Sequence, residues 1–176
     1  FKDTSSVNLN LFTDSEGIDD DVTRGSLSAP FVENGKGLTA DFGYNTRIIG
    51  KWQADFNVHA QKKDRLSFTE RTRRVRTGIR YFPADNLRFY LSFSHQRTGN
   101  WFIWRSDNRY ATYQSKNTTI QLNSRWYPDD RQELQLKLEM VAFTNQDGKE
   151  WTADTLGYLN SLDTSASSIN SGRLSF

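Results

Sequence analysis

The sequence predicts an all-β fold: an antiparallel, up-and-down transmembrane β-barrel, of which residues 1–176 form one barrel domain. Three observations carry the prediction. Apolar and polar residues alternate over stretches of about nine to eleven residues, the length a tilted strand needs to cross a bilayer. One arrangement occurs twice, at 75–93 and 120–140: an alternating strand, Arg-aromatic-aromatic-Pro, a short acidic turn and a second alternating strand. Short connections (49–51, 83–86, 128–132) alternate with long ones (14–36, 61–72, 96–116, 144–171). That asymmetry belongs to a meander with short periplasmic turns and long external loops.

Composition agrees. Apolar residues make up 35% of the chain and aromatics 14%, with a mean hydropathy of −0.76. Few aliphatics with many aromatics suit a wall with lipid on one face and polar side chains on the other. No apolar run approaches the ~18 residues of a membrane helix. The formal charge of +2 comes from interspersed signs, which argues against a nucleic-acid partner. With no cysteine there is no disulfide, thiolate metal site or Cys nucleophile. The chain starts at Phe1 with no leader-like segment, so a processed or excised portion of a longer protein is expected.

The elements follow from parity, because successive strand residues point to opposite faces. Residues 4–13 set Val7, Leu9 and Leu11 against Ser6, Asn8 and Asn10; a long polar loop follows to about Gly37. Residues 38–48 set Leu38, Ala40, Phe42 and Tyr44 against Asp41, Gly43 and Asn45, and Gly50-Lys51 forms a tight turn. Residues 52–60 set Trp52, Ala54, Phe56 and Val58 against Gln53, Asp55, Asn57 and His59. The first Pro hairpin places Val75, Ile79, Tyr81, Leu87, Phe89, Leu91 and Phe93 on one face. The second does so with Ile120, Leu122, Trp126, Leu134, Leu136, Leu138 and Met140. A tail rich in Asn, Ser, Thr and Gly ends in the start of a further strand, giving about seven strands and the beginning of an eighth.

Several residue groups carry candidate chemistry. Arg47, Arg74, Arg76, Arg80, Arg88, Arg125 and Lys137 share the polar parity. They are expected to line the interior, either favouring anions in a lumen or pairing across strands with Asp41, Asp55 and Glu139 in a filled one. Trp52, Tyr81, Phe82, Trp126 and Tyr127 gather beside the short turns, where an interfacial aromatic girdle belongs. Trp101, Trp104, Tyr110 and Tyr113 form either a self-packed external hairpin or a loop that binds a glycan or protein partner. The acidic run of Asp14, Glu16, Asp19, Asp20 and Asp21 is a weak calcium candidate without the spacing of a calcium loop, and a solvated loop fits it better. His59 and His95 are the two imidazoles; Ser94 adjoins His95 on the opposite face, so the two do not form a catalytic pair directly. No phosphate loop or zinc spacing is present, and no cofactor is expected.

The segments R-Y-F-P-A-D-N-L-R-F-Y-L and S-R-W-Y-P-D-D-R-Q-E-L-Q-L-K-L-E-M-V-A-F, with N-W-F-I-W-R-S-D-N-R-Y-A-T-Y-Q-S between them, carry a resemblance over residues 75–143. They resemble the C-terminal barrel of a bacterial outer-membrane family whose members join an N-terminal carbohydrate-binding-module-family-nine-like domain to a β-barrel. The chain departs from that family in lacking the N-terminal module and the strands that follow its tail. The resemblance implies an outer-membrane location, lipid as a partner, and a non-enzymatic role as anchor, scaffold or pore for the attached domain or a partner complex. The rival readings are a soluble β-sandwich glycan-binding module and, more distantly, an outer-membrane lipid hydrolase.

Overall fold

A computed structural model describes residues 4–19, 31–65, 67–166 and 169–175. It is all-β among these residues, and its strands run in chain order: β1 (Ser6–Asp14), β2 (Gly17–Asp19), β3 (Val32–Asn45), β4 (Trp52–Arg65), β5 (Phe68–Ala84), β6 (Leu87–Ser106), β7 (Arg109–Asp129), β8 (Gln132–Ala153), β9 (Leu159–Ala166) and β10 (Ile169–Ser175). All pairings are antiparallel. β1 and β2 pair with successive parts of β3, and β9 and β10 with successive parts of β8. The up-and-down sheet therefore has eight positions, with its path open and β1 and β10 at its edges.

The two Pro hairpins are β5–β6 and β7–β8. Their turns are tighter than the sequence suggests, at 85–86 and 130–131, because Pro83 and Pro128 lie inside β5 and β7. Ladder register shifts there, between Tyr81 and Ala84 and between Trp126 and Asp129. A proline has no N–H to donate, so it sits where pairing is interrupted. The β3–β4 turn is closed by an Ile49–Trp52 bridge around Gly50, whose φ of 61° is open to glycine without strain.

Three expected long loops are corrected. Residues 61–65, 68–72, 96–106 and 109–116 are strand, with a turn at 107–108, and much of 144–171 is strand in β8, β9 and β10. β6 and β7 reach 20 and 21 residues, about twice what a bilayer crossing needs. The extra length forms a strand extension on the side opposite the Pro turns. Trp101/Ile103 alternating with Phe102/Trp104 fits such an extension, with both of its faces covered. Tyr110 and Ala111 are successive, so they face opposite ways, and both are fully buried.

The extension holds the apolar core. Val32, Phe102, Tyr110, Trp151, Ala153 and Leu159 form one buried cluster, with Phe68 and Trp104 packed against it. Phe102 stacks on Tyr110 with centroids 5.0 Å apart, and Phe68 lies 5.1 Å from Trp151. The cluster joins the start of β3 to the start of β9, and Glu33 N donates to Gly157 O across the same junction at 3.3 Å. Ala111, Tyr113 and Ala166, with Ile103, form the second cluster.

Below the extension the sheet is inside out. Leu91 is 51% exposed while Ser92, its neighbour in the chain, is 6% exposed. The same contrast recurs on β3, β5 and β6, whereas β1 and the first six residues of β8 are exposed on both parities. Val7, Leu9, Leu11, Leu38, Phe42, Val75, Ile79, Phe93, Leu134, Leu136 and Met140 are exposed, whereas Gly43, Thr72, Gly78 and Ser92 are buried on the other parity. No helix among the described residues is long and apolar enough to cross a membrane.

Candidate functional site

The polar parities of β1 and β3–β7 converge on a cavity of about 510 Å³ in the concave face. Arg74, Arg76 and Arg80 line it from β5, with Asp55 and Asn57 from β4, Tyr90, Ser92 and Ser94 from β6, and Thr119 and Gln121 from β7. The arrangement turns on a side chain that is absent. Gly78 interrupts the Arg row, and a Cβ there would stand 2.5 Å from the Tyr90 ring. The ring therefore lies across the gap. Its hydroxyl donates to Asp55 Oδ2 at 3.3 Å and accepts from Arg76 Nη2 at 3.4 Å. Arg80 pairs with Asp55 Oδ1 at 3.0 Å and stacks over the same ring at 4.6 Å. Gly78 and Tyr90 thus organise the site, and neither was singled out by sequence reasoning. A glycine on the polar parity of a strand rich in Arg is the signal that points to them.

The other predicted interior residues fall into four places. Arg74 lines the cavity, and its buried Nε has no hydrogen-bond partner. Arg88 and Arg125 sit at the Pro-turn end, where both reach the Tyr127 hydroxyl at 3.5 Å and Arg125 pairs with Glu133 at 2.8 Å. Lys137 pairs with Glu139 at 3.0 Å on the same strand, and Gln121 also donates to Glu139. Arg47 is exposed beyond β3, its backbone N–H bound to Ser5. Of the three expected carboxylates, Asp55 and Glu139 take an Arg and a Lys, while Asp41 is held by His59 at 2.8 Å.

At the Pro-turn rim, Trp52 stacks on Tyr81 at 4.3 Å, and Trp52 and Trp126 are exposed on the apolar face. Phe82 is half-buried, bonded through its backbone to Lys51. Tyr127 turns its hydroxyl to Arg88 and Arg125 on the polar side. The aromatic candidates at the other end are packed inward: Tyr110 and Tyr113 are fully buried and Trp101 and Trp104 half-buried. Their arrangement is the self-packed hairpin.

Asp14 and Glu16 are exposed, and Asp19 is bound to Lys63 at 3.3 Å and Arg65 at 3.5 Å; Asp20 and Asp21 lie outside the described residues. No group of three potential metal ligands converges among the described residues. His95 accepts from Arg97 Nε at Nε2, which puts its own proton on Nδ1, 2.8 Å from Thr118 Oγ1. Ser94 lies on the cavity side of the same strand, apart from that network.

A buried charged group lies inside the extension. Arg65 is enclosed, donates to Asn34 and covers the Phe102 ring at 4.4 Å. Burial pushes the Glu70 carboxyl above its ordinary value, with the Arg65 and Lys63 charges opposing the shift. A carboxyl raised on folding favours the folded state most fully below its ordinary pKa of 4.5, and that contribution is lost as pH rises through the raised value. Glu70→Gln, which cannot ionise, is therefore expected to gain stability relative to the parent chain as pH rises from 4 to 7.5. Thermal melts of both proteins across that range test it, and a gap that does not widen would contradict it.

No family model, curated protein or solved structure matches the chain.

Proposed function

We propose that the sheet is the wall of a non-enzymatic outer-membrane β-barrel, acting as an anchor, scaffold or pore for an attached carbohydrate-binding-like domain or a partner complex. The inverted sheet carries the reading: large apolar side chains stand on the open face while polar ones from β3–β7 turn toward a shared cavity. In water this arrangement is costly at every strand, since burying a Leu-sized side chain contributes about 1.5–3 kcal/mol. In lipid it is the favourable one. The exposed band supports the same reading through its dimensions. It covers nine residues at 52–60, 118–126 and 134–142, a length that spans an apolar band ~25 Å tall once the strands tilt.

A β-sandwich uses its apolar faces against a second sheet, and among the described residues no second sheet covers this one. Lipid also requires every backbone group to be paired, so β1 must pair with β10 or with further strands. The Pro turns then lie on the periplasmic side and the extension outside the cell, where an attached domain or partner is met.

Membrane extraction of the full-length protein tests the proposal. Expected is retention after alkaline carbonate washing and release by detergent. Release without detergent, as a monodisperse species in plain buffer, would sink it.

A further inference from the structure

The apolar band has two different rims. At the Pro-turn rim the outward residues are aromatic, with Trp52, Tyr81 and Trp126 in place. At the other rim, one step beyond Val75, His95 and Thr118, the outward parity turns basic. Arg73 is paired in register with Arg97, and Arg97 with Lys116. The next row sets Lys62 opposite Arg71. All five side chains are exposed.

Like charges directly opposite on neighbouring strands repel, and sheets ordinarily avoid them. Here three cations stand side by side across β5, β6 and β7. Their row runs Ala60, Arg73, Arg97, Lys116 and Thr144, and the next runs Leu38, Lys62, Arg71 and Gly99, so neither holds a carboxylate. Asp64, further along β4, pairs with Lys62 at 2.8 Å, accepts from Thr69 and also lies within reach of Arg71's charge, leaving Arg73, Arg97 and Lys116 without a carboxylate in their row. Arg97 gives one N–H to the His95 ring and gains no negative charge from it. The repulsion is relieved when a negatively charged partner lies along the row.

We infer that Arg71, Arg73, Arg97 and Lys116 form a docking strip for net-anionic, phosphate-bearing lipid headgroups of the leaflet on the extension side. The strip rests on the membrane reading, and its position selects the occupant. It borders the apolar band, where the headgroup layer meets the acyl chains, and it follows the edge across three strands rather than gathering into a pocket. Guanidiniums match phosphate oxygens through paired N–H donors, and basic residues at a membrane surface each attract anionic lipid. The long Arg and Lys stems suit the same boundary, lying along apolar surface with the charge in the polar layer.

The full chain in non-ionic detergent, doped with phosphatidic acid or with phosphatidylcholine, is examined by native mass spectrometry. Retention of phosphatidic acid over phosphatidylcholine is expected. The combined variant Arg71→Gln, Arg73→Gln, Arg97→Gln and Lys116→Gln should lower that preference by at least about tenfold. Arg131→Gln, at the Pro-turn end, should leave it unchanged. Arg97→Gln alone, at the centre of the row, should give an intermediate loss and covers the case in which the combined variant does not fold. Equal retention of the two lipids by the parent chain, or an undiminished preference in folded variants, overturns the strip. Insertion into phosphatidylcholine vesicles separates the two ideas. A chain that inserts there without headgroup preference loses only the strip, and one that enters no vesicle loses the barrel as well.

Discussion

Leu91→Arg is expected to cost about 2–4 kcal/mol of folding free energy in a bilayer. Leu91 is in the middle of the exposed band, paired with Ile79 on one side and Leu122 on the other, so an arginine there has no short route to either headgroup layer. Denaturant unfolding in phosphatidylcholine vesicles measures the loss. Gln121→Arg is the counterpart on the enclosed face. That side chain lines the polar cavity and already reaches Glu139, so the new charge meets a partner and should change stability by less than about 1 kcal/mol. The pair of results reads out which face meets lipid. If Leu91→Arg folds as stably as the parent chain in vesicles, the apolar face is not the lipid face.

Trp151→Ala is expected to cost about 3–5 kcal/mol, as for large aromatics removed from a packed core. Trp151 is nearly enclosed, packs against Phe68 at 5.1 Å and donates its indole N–H to Thr112 at 3.0 Å. Its loss opens a cavity between β5, β7 and β8 and leaves the Thr112 hydroxyl without that donor. Trp151→Phe should retain most of the packing and lose about 0.5–1.5 kcal/mol with the hydrogen bond. Because this core lies in the extension, the ranking of the two variants should hold in detergent and in vesicles alike. Equal stability of Trp151→Ala and the parent chain would mean that the extension contributes nothing to the fold.

What was legible in the sequence was whatever has one wet face and one dry one. The belt strands alternate cleanly, so Leu87 to Phe93 and Leu134 to Met140 fell on the correct parity, and the strand neighbours followed from the short turns. The extension was legible in part: alternating Trp101/Ile103 and Phe102/Trp104 fit a strand covered on both faces, as Phe102 and the half-buried Ile103 show, but the run carries no wet face to mark its length. The cavity was legible as a set of arginines and illegible as a site. Its geometry depends on Tyr90 crossing over Gly78, a contact between neighbouring strands that spacing along one strand does not encode. The basic strip was lost for a related reason. Arg73, Arg97 and Lys116 are far apart in sequence, and only the ladder register sets them side by side.

The cluster that joins Val32 to Leu159 also bears on the order of assembly. A meander gains most of its contacts between consecutive strands, which form quickly because the intervening chain is short. In the proposed barrel, the seam that closes the sheet would be the slow step, since it must gather the ends of the whole chain. Val32 and Leu159 are 127 positions apart, yet they meet in one dry cluster in the extension. Under that proposal, a water-excluding knot at one end would turn the search for the seam into a local alignment, begun before the strand edges meet lipid.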